Sequence, residues 1–199
     1  MKQLSLILVF VCLGSNAQTL PVLTKTSLAN PEHDMGNAKN GNYAIDTNNE
    51  RDQYIGLWEY NQNGILFQLK IQKKDKVLNK IEYNGEISSY NFTDEVVLRY
   101  KLVKNGIVIY DNLNAFTVDP ITSYGVKQFS RNHLYGGILD YTRNVIGSYT
   151  IEKLLGNLEK INFNLNLGNY RILNPRSYYD DGQPLFSIPI KGIEMVKVN

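Results

Sequence analysis

Residues 63–106 read NGILFQLKIQKKDKVLNKIEYNGEISSYNFTDEVVLRYKLVKNG. Three Asn-Gly pairs, at 63–64, 84–85 and 105–106, recur in this stretch every 21 residues. Asn-Gly is a strong signal for a two-residue type I′ hairpin turn, because glycine adopts positive φ freely and asparagine tolerates it. A period of 21 leaves room for two strands of about eight residues and two turns. We therefore expect the three turns to lie at one end of an antiparallel meander.

Apolar and polar residues alternate between these turns, which assigns side chains to two faces of a sheet. We predict a turn at Lys73–Lys76, after which the odd-numbered apolar residues return to the inner face. Ile107–Tyr110 is apolar on both faces and is predicted to be a central or doubly covered strand. The large inward-facing residues, which would line a ligand cavity or fill a core, are Trp58, Phe67, Tyr83, Tyr100 and Phe163.

The strand and turn signals predict an all-β chain of about nine or ten strands. A meander of this size must protect its first and last strands, and closure into a barrel removes both edges. We therefore predict an antiparallel up-and-down meander closed into a lipocalin-like β-barrel over residues 54–199. The alternative is an open β-sandwich.

The first 17 residues have the pattern of a signal peptide, with Lys2, a short apolar run and small residues before Gln18. We expect cleavage there and export to the periplasm or the extracellular space. The apolar run is too short to span a bilayer as a helix, and we predict no transmembrane segment. The single cysteine, Cys12, lies in the leader, so we expect the mature chain to have neither disulfide nor thiolate chemistry.

Residues 18–53 lack a sustained period and are predicted to form an extended lead-in that ends in a short capped helix. The run Thr47–Glu50 matches a capping box. Every second residue from Asp46 to Asp52 has a side-chain oxygen, a spacing that resembles the ligands of a calcium-binding loop. However, Arg51 stands where that loop needs glycine, and Leu57 where it needs glutamate, which favours the helix cap.

Composition excludes several classes of function. The formal net charge is +2, and it falls to +1 when Lys2 is removed, so nothing indicates nucleic-acid binding. Only two histidines occur, His33 and His133, and no nucleophile elbow, phosphate loop or dinucleotide motif is present. We expect no enzyme activity, no cofactor and no metal site. Asp180-Asp181-Gly182 is predicted to be a turn.

The chain contains 14 tyrosines. Strand propensity accounts for most of them, but several fall in the weakly patterned segments Asn112–Tyr135 and Asn174–Gln183. Functional residues concentrate on loops carried by a rigid scaffold. The candidate loop contacts are Tyr124, Tyr135, Tyr178 and Tyr179.

Two resemblances follow from particular runs of residues. Gly56-Leu57-Trp58 after a short helix resembles the Gly-x-Trp motif of lipocalins, in which the tryptophan begins the first strand. Tyr43–Glu50, Tyr54–Tyr60 and Phe186–Pro189 resemble an exported family from Bacteroidota, of about this chain's 199 residues, known only as a domain of unknown function. The resemblance implies export and a β fold. It does not indicate an activity, because none is assigned to the family.

Two functions remain open from the sequence. The first is a non-catalytic envelope or extracellular interaction module that binds an envelope protein through its loops. The second is a carrier that holds a small apolar ligand inside the barrel. We favour the module.

Overall fold

The computed structural model describes residues 20–28, 39–115, 129–130, 133–156, 159–166, 186–189 and 192–198. The predicted signal peptide, residues 1–17, lies outside this set, as do His33 and Asp180-Asp181-Gly182. The described part of the chain is all β, as predicted, and its one helix is a short 3₁₀ helix at Glu50–Tyr54. None of its helices has the length and apolarity needed to cross a bilayer.

Eleven strands form one sheet in these residues. In chain order they are β1 (Thr24–Ser27), β2 (Asn42–Ile45), β3 (Gly56–Gln62), β4 (Ile65–Tyr83), β5 (Glu86–Lys104), β6 (Ile107–Asp111), β7 (Phe129–Ser130), β8 (His133–Asp140), β9 (Val145–Leu154), β10 (Lys160–Asn166) and β11 (Ile193–Val198).

The sheet is open, with the strand order β1-β2-β5-β4-β3-β11-β10-β9-β8-β7. Strand β6 pairs with β5 on the same edge as β2, further along that strand. Neighbouring strands are antiparallel except for β1 with β2 and β2 with β5. Among the described strands, no pairing joins one end of this order to the other. The predicted closed barrel is therefore wrong, and the open sandwich alternative is the better description.

The sheet nevertheless curls strongly. In a flat sheet β4 and β10 would lie about 14 Å apart, because β3 and β11 separate them and each spacing is about 4.8 Å. The rings of Phe67 on β4 and Phe163 on β10 have centroids only 5.6 Å apart. Both belong to one buried cluster formed by β3–β5 and β8–β11. A single core thus fills the space inside the curl.

Side chains join the two regions of the sheet that the curl brings together. The Tyr141 backbone amide, just after β8, donates to the Tyr100 hydroxyl on β5 at 3.1 Å. Tyr110 on β6 stacks on Tyr141 with a centroid distance of 4.7 Å. Burial raises the pKa of Tyr100, so the acceptor hydroxyl remains neutral. These tyrosine contacts connect β5 and β6 to the end of β8, where a closed barrel would have a backbone ladder.

The three Asn-Gly turns have the predicted conformation but not the predicted positions. In each pair both residues have positive φ, between 49° and 81°, as type I′ requires. The Asn105 amide donates to the Gly64 carbonyl at 2.7 Å, so these two turns are neighbours. The 19-residue β4 and β5 separate both turns from Asn84-Gly85, which lies at the far end. The prediction of one shared end is wrong, because one long strand fills each 21-residue interval.

Strand β6 also differs from expectation. Among the described strands it pairs only with β5, so it is an edge strand and not a central one. Ile107 and Val108 are 67% and 56% exposed. An apolar pattern on both faces is typical of a covered strand, but here the residues after the turn lie beyond the core.

Candidate partner-binding arm

The β4–β5 hairpin extends well beyond the core. Phe67, Leu69 and Ile71 in its first half are fully buried. By contrast, every residue from Leu78 to Ser88 is exposed. We call residues 77–91 the arm: the distal part of both strands together with the Asn84-Gly85 turn.

A β-bulge marks the base of the arm. Lys74 pairs with Glu95, but the next paired residue, Val77, lies opposite Thr93. Asp75 and Lys76 therefore both face Asp94, and Lys76 adopts φ 52°. Because one residue is added, the face that β4 side chains occupy reverses beyond this point. The predicted turn at Lys73–Lys76 is this bulge.

The reversal explains why the predicted inward position of Tyr83 is wrong. Tyr83 is 73% exposed and Ile81 is 66% exposed. The bulge turns the odd-numbered residues to the opposite face, and no described part of the chain packs over this end of the hairpin. A second irregularity follows between Ile81 and Glu82. The exposed large apolar residues of the arm are Leu78, Ile81, Tyr83 and Ile87.

A buried ionic cluster fixes the base of the arm to the rest of the fold. Arg51, only 3% exposed, lies between the carboxylates of Asp46 and Asp94. Its Nε donates to Asp46 at 2.8 Å, and Nη2 lies 3.3 Å from Asp94 and 2.8 Å from Asp75. Nη1 donates to the Glu95 carbonyl at 2.9 Å. One guanidinium thus links the 3₁₀ helix, the bulge in β4 and the strand opposite it.

Asp94 accepts hydrogen bonds from the bulge and from the segment that precedes the 3₁₀ helix. The Lys76 amide donates at 3.0 Å, the Asp46 amide at 2.9 Å and the Tyr43 hydroxyl at 2.7 Å. Burial alone opposes ionisation of Asp94, but these hydrogen bonds and the charge of Arg51 outweigh it and hold the pKa of the carboxyl below its usual value. Burial and the bond to Asp94 raise the pKa of Tyr43 to about 12. Asp94 is therefore a charged anchor for the bulge.

Asp46 caps the 3₁₀ helix in place of the predicted capping box. Its carboxylate accepts from the Glu50 amide at 2.9 Å and from the Arg51 amide at 3.1 Å. Thr47 instead shares a 2.8 Å hydrogen bond with the Ser27 hydroxyl. The predicted helix position is close to the observed one, but an aspartate one residue earlier satisfies the amides.

The two edges of the arm differ. The β5 edge is occupied near its base, where β2 pairs with Phe92 and Thr93 and where the Gly41 amide donates to the Tyr90 carbonyl at 2.7 Å. The β4 edge is open, because β3 pairs with β4 only as far as Ile71. Beyond Ile71, no described strand other than β5 pairs with β4. Among the described residues, no strand therefore pairs with the backbone amides and carbonyls along this edge of β4.

The other predicted cavity or core residues lie far from the arm. Trp58, Phe67, Tyr100 and Phe163 are all fully buried in the core cluster. The Trp58 indole donates to the Tyr54 carbonyl at 2.7 Å, and the ammonium groups of Lys153 and Lys197 lie 4.8 and 5.6 Å from its ring centre. Bulky side chains therefore pack against one another where a carrier would need space.

Only one of the predicted loop contacts lies within the described residues. Tyr135, on β8, is 39% exposed and stacks on His133 with a centroid distance of 5.9 Å. Tyr124, Tyr178 and Tyr179 lie outside the described residues. Binding through these tyrosines remains a prediction.

The described polar groups that resemble catalytic residues are engaged in structural contacts. His133 Nε2 lies 3.8 Å from Glu152 in a partly exposed pair. Asp140 is fully buried, and its carboxylate accepts from the amides of Ser187, Ile188 and Thr142. It thereby fixes the segment at 186–189 to the β8–β9 turn. Within the described ranges no group of three His, Cys, Asp or Glu side chains is placed to hold a metal.

Sequence reasoning missed the arm because it treated every inward-pointing residue as buried. The local pattern contains no warning: Lys80 and Glu82 alternate with Ile81 and Tyr83, which is also the pattern of a strand with one face on a core.

Comparison with known proteins places the chain in a family of unknown function. No curated protein matches the chain. No solved structure matches it either. A model of a family of unknown function, DUF6705, matches residues 1–198. The chain therefore belongs to the DUF6705 family.

Proposed function

We propose that this protein is an exported, non-catalytic interaction module that binds a protein partner through the arm. The observation that carries the proposal is the exposure of Ile81 and Tyr83 on a strand whose outer edge has no partner strand in the described part of the chain. An exposed apolar patch on a rigid element marks an interaction site more often than a scattered surface residue does. An open edge offers backbone hydrogen bonds to a partner strand.

The base of the arm supports the same proposal. Arg51 and Asp94 hold the bulge through buried, charge-assisted hydrogen bonds. The orientation of the arm relative to the core is therefore fixed before a partner binds. A fixed element loses less conformational entropy on binding than a flexible loop does.

The carrier function has less support. Phe67, Tyr100 and Phe163 pack ring to ring inside the curl, with centroid distances of 5.6 and 6.0 Å. Native mass spectrometry of the purified protein tests this alternative. A retained lipophilic molecule would favour the carrier over the module.

The experiment for the module compares two matched double variants. In Ile81→Ser with Tyr83→Ser the apolar residues of the arm are removed. In Ile107→Ser with Val108→Ser, two similarly exposed apolar residues outside the arm are removed. Each tagged protein is used to capture partners from the envelope of the cells that produce it, and captured proteins are then purified and tested pairwise.

We expect the wild type and the β6 variant to bind the same purified partner, and the arm variant to lose at least tenfold in affinity. Equal binding by the arm variant would overturn the proposal. Export is tested separately by the intact mass of the mature protein, which we expect to begin at Gln18. An uncleaved protein that begins at Met1 and is found in the cytoplasm would contradict export.

A further inference from the structure

We infer that the partner of the arm is a second copy of this chain, and that the two copies pair antiparallel along the outer edges of β4 around a two-fold axis at Asn79. The inference rests on the proposed function, since it names the partner of the same surface. It follows from the direction of the backbone groups, from the order of charges along β4 and from the difference between the two edges of the arm.

The backbone of β4 offers suitable donors and acceptors. In a two-residue hairpin the residues that flank the turn, here Tyr83 and Glu86, form a hydrogen-bonded pair. Backbone groups alternate in direction along a strand, so those of Leu78, Lys80 and Glu82 point away from β5. The Ile81 carbonyl is consistent with this alternation, because it accepts from the Ser88 hydroxyl on the β5 side at 3.1 Å.

An axis at Asn79 brings these outward groups together. Leu78 of each copy then lies opposite Lys80 of the other, and both residues have outward backbone groups. Asn79 lies opposite itself as a pair without hydrogen bonds between the backbones. From Val77 to Ile81 the ladder therefore forms without a shift in either strand, and it ends at the bulge, where the Lys76 amide donates to Asp94 at 3.0 Å.

The charges along β4 select this register. With the axis at Asn79, Lys76 takes the register position opposite Glu82 of the second copy, and this occurs twice because the contact is symmetric. In the single chain the Lys76 ammonium lies 5.1 Å from the Phe92 ring centre and Glu82 pairs with Lys80, so both side chains have to turn to meet across the axis. An axis at Leu78 would place Lys76 opposite Lys80, and an axis at Lys80 would place that lysine opposite itself. Like charges directly opposite each other destabilise a strand pair.

The apolar residues fit the same register. Val77 lies opposite Ile81 of the second copy, and Ile81 is 66% exposed in the single chain. An axis at Ile81 would also match Lys80 with Glu82, but it would run past Tyr83, the last residue of β4, after two residues. The axis at Asn79 lies at the centre of Val77–Ile81, the regular part of β4 between its two irregularities, on both copies.

The second edge of the arm is less suitable. β2 pairs with β5 at Phe92 and Thr93, and the Tyr90 amide donates to the Asn40 side chain at 3.0 Å. A strand added along β5 would meet this segment. The β4 edge has no such obstacle among the described residues.

The experiment uses the full chain with Cys12→Ser as background, so that each test cysteine is the only one. Asn79→Cys would place two sulfurs across the axis, at the Cα separation of a non-hydrogen-bonded pair, which is compatible with a disulfide. The matched control is Ser88→Cys, which is exposed on the β5 strand of the same arm. We expect dilute Asn79→Cys to form a disulfide dimer under mild oxidation at least tenfold more than Ser88→Cys.

A charge-exchange series tests the register without a disulfide. We expect Lys76→Glu alone and Glu82→Lys alone each to weaken self-association by roughly tenfold in analytical ultracentrifugation, and the double variant to regain most of the loss. Circular dichroism would verify that each variant is folded.

Three outcomes overturn the inference: a wild-type chain that is monomeric at every concentration, equal cross-linking of the two cysteine variants, or no rescue by the double exchange. A monomeric chain whose arm variant still loses a captured envelope protein would leave the proposed function standing. If the arm variant kept both partner binding and self-association, the proposed function and this inference would both be wrong.

Discussion

The two halves of the β4–β5 hairpin have the same alternating pattern and opposite surroundings. In the first half Phe67 and Leu69 are buried in the core, and β4 pairs with β3 along one edge and with β5 along the other. In the second half Ile81 and Tyr83 are exposed, and none of the described strands pairs with the outer edge. Between them lies the bulge at Asp75 and Lys76. Alternation therefore reports which face a residue occupies, whereas burial depends on what the rest of the chain places against that face.

The largest expected difference between the halves is in stability. Phe67→Ala should lower the free energy of unfolding by about 3–5 kcal/mol, because the deletion leaves a cavity among Tyr100, Phe163 and their neighbours. Tyr83→Ala is the matched change in the arm and should lower it by less than about 0.5 kcal/mol. Urea denaturation of both variants gives the comparison. Similar losses would mean that the arm is packed against something.

The junction between the halves should be nearly as sensitive as the core. Arg51→Ala leaves Asp46 and Asp94 buried without their cation and should cost about 3 kcal/mol or more. The matched control is Lys101→Ala, which removes a partly exposed ion pair with Asp111 at 3.1 Å and should cost about 0.2–1 kcal/mol. Chemical denaturation distinguishes the two. If Arg51→Ala were as mild as the control, the cluster would not hold the arm.

Acid should weaken the same junction. The pKa of Asp94 is lower in the folded chain than its usual value, so its charged form stabilises the fold above the unfolded pKa of about 3.9. This contribution is lost as the pH falls through the folded pKa. We expect wild-type stability to fall more steeply below pH 4 than that of Asp94→Asn, by about 1.4 kcal/mol for each unit of pKa difference.

Tyr43→Phe sharpens the pH test, because it removes one donor to Asp94 and leaves Arg51 in place. Removing this donor brings the folded pKa of Asp94 closer to the unfolded value, so acid should cost this variant less stability than it costs the wild type, and the loss should end at a higher pH. Superimposable pH profiles for all three proteins would show that Asp94 does not contribute in this way.

The smallest expected effect is in the arm itself. The Ile81→Ser and Tyr83→Ser double variant should change the free energy of unfolding of the monomer by less than about 1 kcal/mol, since each side chain is mostly exposed. Thermal and urea unfolding at low protein concentration measure it. A large loss would contradict the exposure of these residues and favour a packed arm.

Much of the architecture was predictable from local chemistry. The three Asn-Gly pairs form type I′ turns because Asn and Gly are the residues that accept positive φ at low cost. Strand character and the inward orientation of Phe67 and Tyr100 followed from alternation. These features depend on neighbours in sequence.

Features set by distant parts of the chain were not predictable. The bulge depends on Asp94, which faces it from β5, and on Arg51, which comes from the 3₁₀ helix. If β4 had no bulge, the alternation of side chains would place Tyr83 on the inner face, as the sequence predicts. The 21-residue period fitted two short strands as well as one long one, and only the position of the core distinguishes them. The open sheet likewise reflects contacts such as Tyr110 with Tyr141 that no local pattern contains.

Amide hydrogen exchange along β4, resolved by residue and measured at low protein concentration, tests the division of the hairpin most directly. We expect slow exchange at consecutive residues from Leu66 to Ile71, where both edges are bonded, and fast exchange at Leu78, Lys80 and Glu82, whose amides point to the open edge. Protection that continued unchanged from Leu66 to Glu82 in the monomer would contradict the account.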